Sequence, residues 1–159
     1  MTQMRVQRKG LDFNKVADEI GIDIKRLKEG TMVQMAGVIA ANSPVDSGYY
    51  VKNHEVALRS GSFKSNAIRP PDAERNSRGG NVSAASARQE GFNLMVEEIK
   101  QLDLASENFV FRNRMAYAGL IEAGETGDKT GSPPVYASAA REAPRIIQEV
   151  AQKIASRNR

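Results

Sequence analysis

Residues 59 to 81, RSGSFKSNAIRPPDAERNSRGGN, contain only Phe63 and Ile68 as large apolar side chains among Ser, Gly, Asn, Pro and Arg. The stretch reads as an irregular basic loop, longer than compact domains commonly carry without a purpose. At 159 residues the chain has the length of one domain, about 100 to 200 residues. The core is therefore expected from the segments on either side of this loop.

Upstream, Phe13, Val16, Ala17 and Ile20 recur at helical spacing after Asp12, and Gly21 ends the pattern. Asp23 caps a longer helix with Ile24, Leu27, Met35, Val38 and Ile39 on one face, stopped by Asn42-Ser43-Pro44. Gly30 weakens that helix by about 1 kcal/mol relative to Ala and marks a kink or break. A turn, Pro44 to Gly48, leads into Tyr49–Leu58, whose alternation predicts a half-exposed strand.

Downstream, Val82, Ala85, Gln89, Phe92, Val96 and Ile99 trace an amphipathic helix interrupted by Gly91. Phe109-Val110-Phe111 begins a strand ending in Arg112-Asn113-Arg114, and residues 116 to 123 suit a helical turn or two. Residues 124 to 134, GETGDKTGSPP, form a second loop. From Val135 the apolar steps of three and four predict a C-terminal helix containing Pro144, which either kinks it or restarts it. The expected fold is α+β, a single domain with a small antiparallel β-sheet packed against a long N-terminal helix and a C-terminal helix. Residues 1–10 are a basic N-terminal extension, and residues 11–157 form the domain, with the insertion at about 59–81.

The chain has no cysteine, which excludes a disulfide scaffold, a thiolate metal site and a thiol nucleophile. His54 is the sole histidine, so a multi-histidine metal cage is excluded as well. The longest nearly apolar run, 32 to 41, includes Gln34 and is half the roughly 20 residues a membrane helix needs. No apolar segment follows the basic leader, so a soluble protein of cytoplasmic origin is expected.

Charge is segregated. Residues 1–10, 59–78 and 141–159 each carry +3, so the net charge of +4 leaves −5 on the remainder, with acids clustered between 90 and 128. Ordinary solvated surface accounts for such segments most often. The sharper reading is that Arg59, Lys64, Arg69, Arg75 and Arg78 face DNA phosphates or an acidic partner. With only Phe63 between them, these bases lack the aromatic interleaving of single-strand binders, so any contact with DNA is through phosphates, without base reading.

Catalytic patterns are weak. In GETGDKT, Asp128 stands where a phosphate-binding loop needs Gly before Lys, and a carboxylate there repels phosphate. His54 lies beside Glu55 with no Ser or Cys elbow nearby, which favours a surface or interface histidine. No spacing brings two carboxylates onto one face for acid/base work, and a metal site of Asp and Glu alone has no specific support. No catalytic, cofactor-binding or metal-binding residue is assigned, and no cofactor is expected.

Two segments together resemble a known family. Pro44-Val45-Asp46-Ser47-Gly48 with YYVKNHEVAL is similar to the "P-V-D-T-G" turn and following strand of the tail-completion, or neck, proteins of tailed bacteriophages. FVFRNRMAYAGLIEAG, residues 109 to 124, resembles that family's second signature: a strand ending in Asn113, the step Tyr117-Ala118, then Glu122 and Gly124. Pro133, Pro134 and the segment from Val135 follow in the family's order, so the resemblance spans about residues 23 to 150. Ser47 replaces the usual Thr, and the stretch from 59 to 81 is insertion-like. The resemblance implies a non-enzymatic virion protein forming a six- or twelve-fold homo-oligomeric ring between head connector and tail, with adjacent connector and tail proteins as partners. DNA passes through its channel non-specifically, and no membrane is involved. It leaves open a tail terminator ring, while the charge pattern alone also suits a free, non-sequence-specific nucleic-acid-binding protein. For Pro44, Asp46 and Gly48 the residue chemistry favours a turn-shaping role over partner contact; Glu122 is open to pairing with a neighbouring subunit's arginine.

Overall fold

A computed structural model describes residues 3–5, 13–45, 48–61, 83–104, 108–115, 118–123 and 134–158. In chain order the elements are β1 Gln3–Arg5, α1 Phe13–Ile20, α2 Ile24–Asn42, α3 Tyr49–Lys52, β2 His54–Leu58, α4 Ala84–Lys100, β3 Phe109–Asn113, α5 Ala118–Glu122 and α6 Val135–Arg157. The fold is α+β, as the sequence implies.

α1 buries Phe13 and Ala17 and ends at Gly21, whose φ of 71° lets Gly21 N and Ile22 N both reach the Ala17 carbonyl, at 2.8 and 3.0 Å. Asp23 then caps α2 by accepting from Lys25 N at 2.7 Å. α2 runs without a break through Gly30. α6 lies antiparallel alongside it, so near that a Cβ on Gly30 would sit 2.6 Å from Val150 Cγ1. Gly30 is there for the close approach of two helices. α6 likewise continues through Pro144, whose ring is exposed, because Ala139 and Ala143 before it and Ile146, Ile147 and Val150 after it are all buried.

The sheet is antiparallel throughout, in the order β1-β3-β2. Gln3–Arg5 is thus a strand within the fold, although the basic leader reads as an extension. β2 and β3 pair from His54 opposite Asn113 to Leu58 opposite Phe109. Alternation sends His54, Val56, Phe109, Phe111 and Asn113 to the core face, and Glu55, Ala57, Val110 and Arg112 to the other. Both faces are buried, which corrects the expectation of a half-exposed strand.

Tyr49–Lys52 is also corrected, from strand to a single helical turn. Gly48, at φ 84°, launches that turn, and Lys52 N bonds the Gly48 carbonyl at 3.3 Å. The turn is held by α4, where a Cβ on Gly91 would meet the Val51 carbonyl oxygen at 2.3 Å. Gly91 therefore admits a backbone where the sequence suggested an interruption. Tyr136, Phe109, Phe111, Leu27, Met32 and Met35 are the bulk of one core shared by α2, α6 and the inner sheet face. Among the described residues no helix is long and apolar enough to cross a membrane.

Candidate functional site

The positions that carry the family resemblance are the ones whose placement matters most. Pro44 is half-buried directly after Ser43, the residue that closes α2 with its N–H on the Ala40 carbonyl at 3.2 Å. Gly48 is buried at the start of α3, Asn113 ends β3 and Glu122 ends α5. Asp46, Tyr117, Gly124, Lys64, Arg69, Arg75 and Arg78 lie outside the described residues. Arg59 is exposed just past β2, with its backbone N–H on the Asn108 carbonyl at 2.7 Å.

Asn113 belongs to, and Glu122 borders, one buried polar cluster centred on His54, and Gly48 launches the helical turn whose Tyr50 packs on the same imidazole. The histidine is 3% exposed, not at the surface as its sequence context suggested. The Ser43 hydroxyl donates its one proton to the Ile39 carbonyl at 2.7 Å. Its oxygen, 2.8 Å from His54 Nε2, therefore accepts, and Nε2 carries the ring proton. Nδ1 is then the acceptor, receiving the Tyr136 hydroxyl at 2.7 Å and the Asn113 amide at 3.2 Å. The other Asn113 amide proton goes to the Tyr50 carbonyl at 2.7 Å, and its oxygen accepts from Met115 N at 2.8 Å. Tyr50 and Tyr136 each meet the imidazole edge-on, at centroid distances of 5.0 and 5.5 Å.

Two more groups seal this cluster. The Arg88 guanidinium donates from Nε and Nη2 to the Ser43 carbonyl, at 3.2 and 3.1 Å, so α4 closes the C-terminal end of α2. Glu122 accepts from Tyr136 N at 3.0 Å and Ala137 N at 2.9 Å, placing a carboxylate on the first turn of α6. Pro134, the residue before that helix, supplies no side-chain cap, so Glu122 does so from another element. Its carboxylate is used within the chain.

A serine 2.8 Å from a histidine invites comparison with a nucleophile and its base. The chemistry here runs the other way, because the Ser43 proton points at a main-chain carbonyl and the histidine donates to the serine. Burial also drives the His54 pKa down to about 3, which makes it a poor base, and holds the Tyr136 hydroxyl protonated with its pKa well above the ordinary value. The cluster locks α2, β2, β3 and α6 together.

On the opposite sheet face, Glu55 stands across from Arg112 and accepts from its Nε at 2.8 Å, with both side chains buried. Arg114 Nε approaches the second Glu55 oxygen at 3.2 Å without hydrogen-bond alignment. Among the described residues no group of three His, Asp or Glu side chains is placed to hold a metal ion.

Compared with known proteins, the chain matches no family model, no curated protein and no solved structure.

Ser43, Tyr136 and Arg88 escaped the sequence reading because their partners are remote: His54 meets Asn113 across 59 positions and Tyr136 across 82. One signal was present. Two polar residues, His54 and Asn113, sit on otherwise apolar faces of strands that pair, and buried polar groups need each other.

Proposed function

We propose that this chain is a structural subunit of a tailed-phage neck, forming a ring that joins the head connector to the tail and leaves a channel for DNA. The observation that carries the reading is the convergence of Asn113 and Glu122, two positions of the family pattern, on the cluster around His54: the Asn113 amide donates to His54 Nδ1, and Glu122 holds the helix turn whose Tyr136 hydroxyl does the same. Residues far apart in the chain that specify one interior are what a family-wide pattern of this kind should consist of. Their role is architectural, so the contacts of a ring belong to the outer surface.

In this reading the protein resides in the virion, after assembly in the host cytoplasm, as a six- or twelve-fold ring. The basic segment from Arg59 to Arg78 either lines the channel, touching DNA through phosphates so that the genome slides, or docks on an adjacent protein ring. A tail terminator ring is the nearest alternative. Imaging of purified particles tests the reading: density for this chain at the head-to-tail junction with rotational symmetry supports it, and density at the far end of the tail tube supports the terminator. Absence from particles, with salt-dependent DNA binding by the free monomer, replaces both with a nucleic-acid-binding protein.

A further inference from the structure

A groove of about 420 Å³ runs between the first half of α2 and the end of α6, floored by Gly30, Val33, Val150 and Ile154. Arg26, Lys153 and Arg157 stand on its walls, with Glu29 the one carboxylate among its lining residues. Among the described residues none of these three cations has a carboxylate partner, and Arg26 bonds only the Asn158 amide oxygen, at 3.3 Å. Elsewhere Lys15, Lys52, Lys100 and Arg145 are each matched to a carboxylate on the surface. The groove thus combines an apolar floor with unbalanced positive charge.

A second surface of the same chain has the opposite character. Leu94 on α4 is 45% exposed, and Glu90 and Glu97 flank it one turn before and one turn after. Phe92 reaches Gly37 of α2, and two positions further round the helix Leu94 points away from it. No α4 residue lines the groove, so one copy can offer both surfaces at once. Leu120, at 52%, is the other exposed large apolar side chain among those described, but the carboxylate of its own helix, Glu122, caps α6.

We infer that the groove receives the Glu90–Leu94–Glu97 ridge of a second copy of this chain, Leu94 on the apolar floor and the two carboxylates against Arg26, Lys153 and Arg157. The inference rests on the ring reading above and gives that ring its subunit contact. Lys52, half-buried, and Lys100, exposed, hold Glu90 and Glu97 at 2.9 and 3.2 Å, and such surface ion pairs are weak enough to exchange. Groove and ridge are different patches, so the contact is heterologous and propagates head to tail until it closes. Two helical turns bury less than the roughly 1,600 Å² of a standard interface, so a single contact is weak and closure supplies the stability.

The test uses the whole chain in low salt, followed by sedimentation velocity as concentration rises. Wild type should move to larger species, and about 0.5 M salt should reverse this. Leu94→Asp alone and Lys153→Glu/Arg157→Glu alone should each stay monomeric. Mixed in equal amounts they should form a one-to-one dimer, because the first retains its groove and the second its ridge. All three positions are exposed, and circular dichroism checks that the variants are folded. A wild type that stays monomeric, variants that associate normally, or a mixture that fails to pair overturns the contact. A groove variant that loses only binding to a short DNA duplex also overturns it, assigning the groove to phosphate. Absence of the chain from phage particles would remove the neck reading and leave a positive mixing result standing. A particle ring built equally well by the variants would remove this contact alone.

Discussion

The Tyr136 hydroxyl donates to His54 Nδ1 at 2.7 Å, joining the first turn of the C-terminal helix to the start of an edge strand. The main chain of the same tyrosine binds Glu122, so one residue couples α6 to both β2 and α5. Both ring nitrogens of His54 and both ends of the Asn113 amide have partners, and a hydrogen-bonded buried network specifies one packing where an apolar core would tolerate several.

The network predicts a pH dependence. Burial lowers the His54 pKa from its ordinary 6.5 to about 3, so the folded chain keeps the ring neutral where the unfolded chain protonates it. Stability from this residue is complete above pH 6.5 and is lost as pH falls toward 3, by up to ~1.4 kcal/mol per unit and roughly 5 kcal/mol in all. Urea unfolding of wild type and His54→Gln between pH 7 and about 4 measures the difference. The wild-type slope should be steeper by about one proton, and parallel slopes would show that His54 is not buried neutral.

Glu122 distinguishes an internal cap from an intersubunit contact. As a cap on Tyr136 N and Ala137 N, its replacement by Ala should lower monomer stability by ~1 kcal/mol, with Gln recovering part because one acceptor oxygen remains. Thermal unfolding of the monomer reads this directly. Unchanged monomer stability with impaired assembly would return Glu122 to the subunit boundary.

The long helices were legible because their apolar positions recur over many turns and their ends carry chemistry: Asp23 opens α2, and Ser43 with Pro44 closes it. Tyr49–Lys52 was not, since four residues distinguish a period of 3.6 from one of 2 poorly. What decides it is Gly48 in the left-handed region and the backbone of Val51 against Gly91, a contact across the chain. The glycines misled for a related reason. Gly30 and Gly91 read as weak points by propensity, whereas tertiary packing makes them the places where elements come closest. The polar cluster was invisible to spacing because its members come from four elements. The basic residues from Lys64 to Arg78 lie outside the described residues.

The Glu55–Arg112 pair should matter more than any exposed ion pair. Both side chains are buried across one register position, and Glu55→Ala leaves Arg112 without its carboxylate, at an expected loss of about 3 kcal/mol. Replacing both residues with apolar side chains of similar volume should restore much of that. Denaturant unfolding of the two singles and the double completes the cycle, and a single-variant loss below about 1 kcal/mol would mean that water reaches the pair.

Gly30 and Gly91 should respond differently to rescue. A Cβ on Gly30 collides at 2.6 Å with a side-chain methyl of Val150, so Gly30→Ala should destabilise the chain alone and do so far less beside Val150→Ala. Alanine even favours the helix by about 1 kcal/mol once that space is cleared. A Cβ on Gly91 instead meets main chain, the Val51 carbonyl oxygen at 2.3 Å and its carbon at 2.9 Å. Shortening Val51 moves neither atom, so Gly91→Ala should stay destabilising beside Val51→Ala, and α3 should separate from α4. A double-mutant cycle at each site measures the coupling. Strong rescue at Gly30 with little at Gly91 is the expected result, and equal rescue at both would place the α3–α4 contact on side chains.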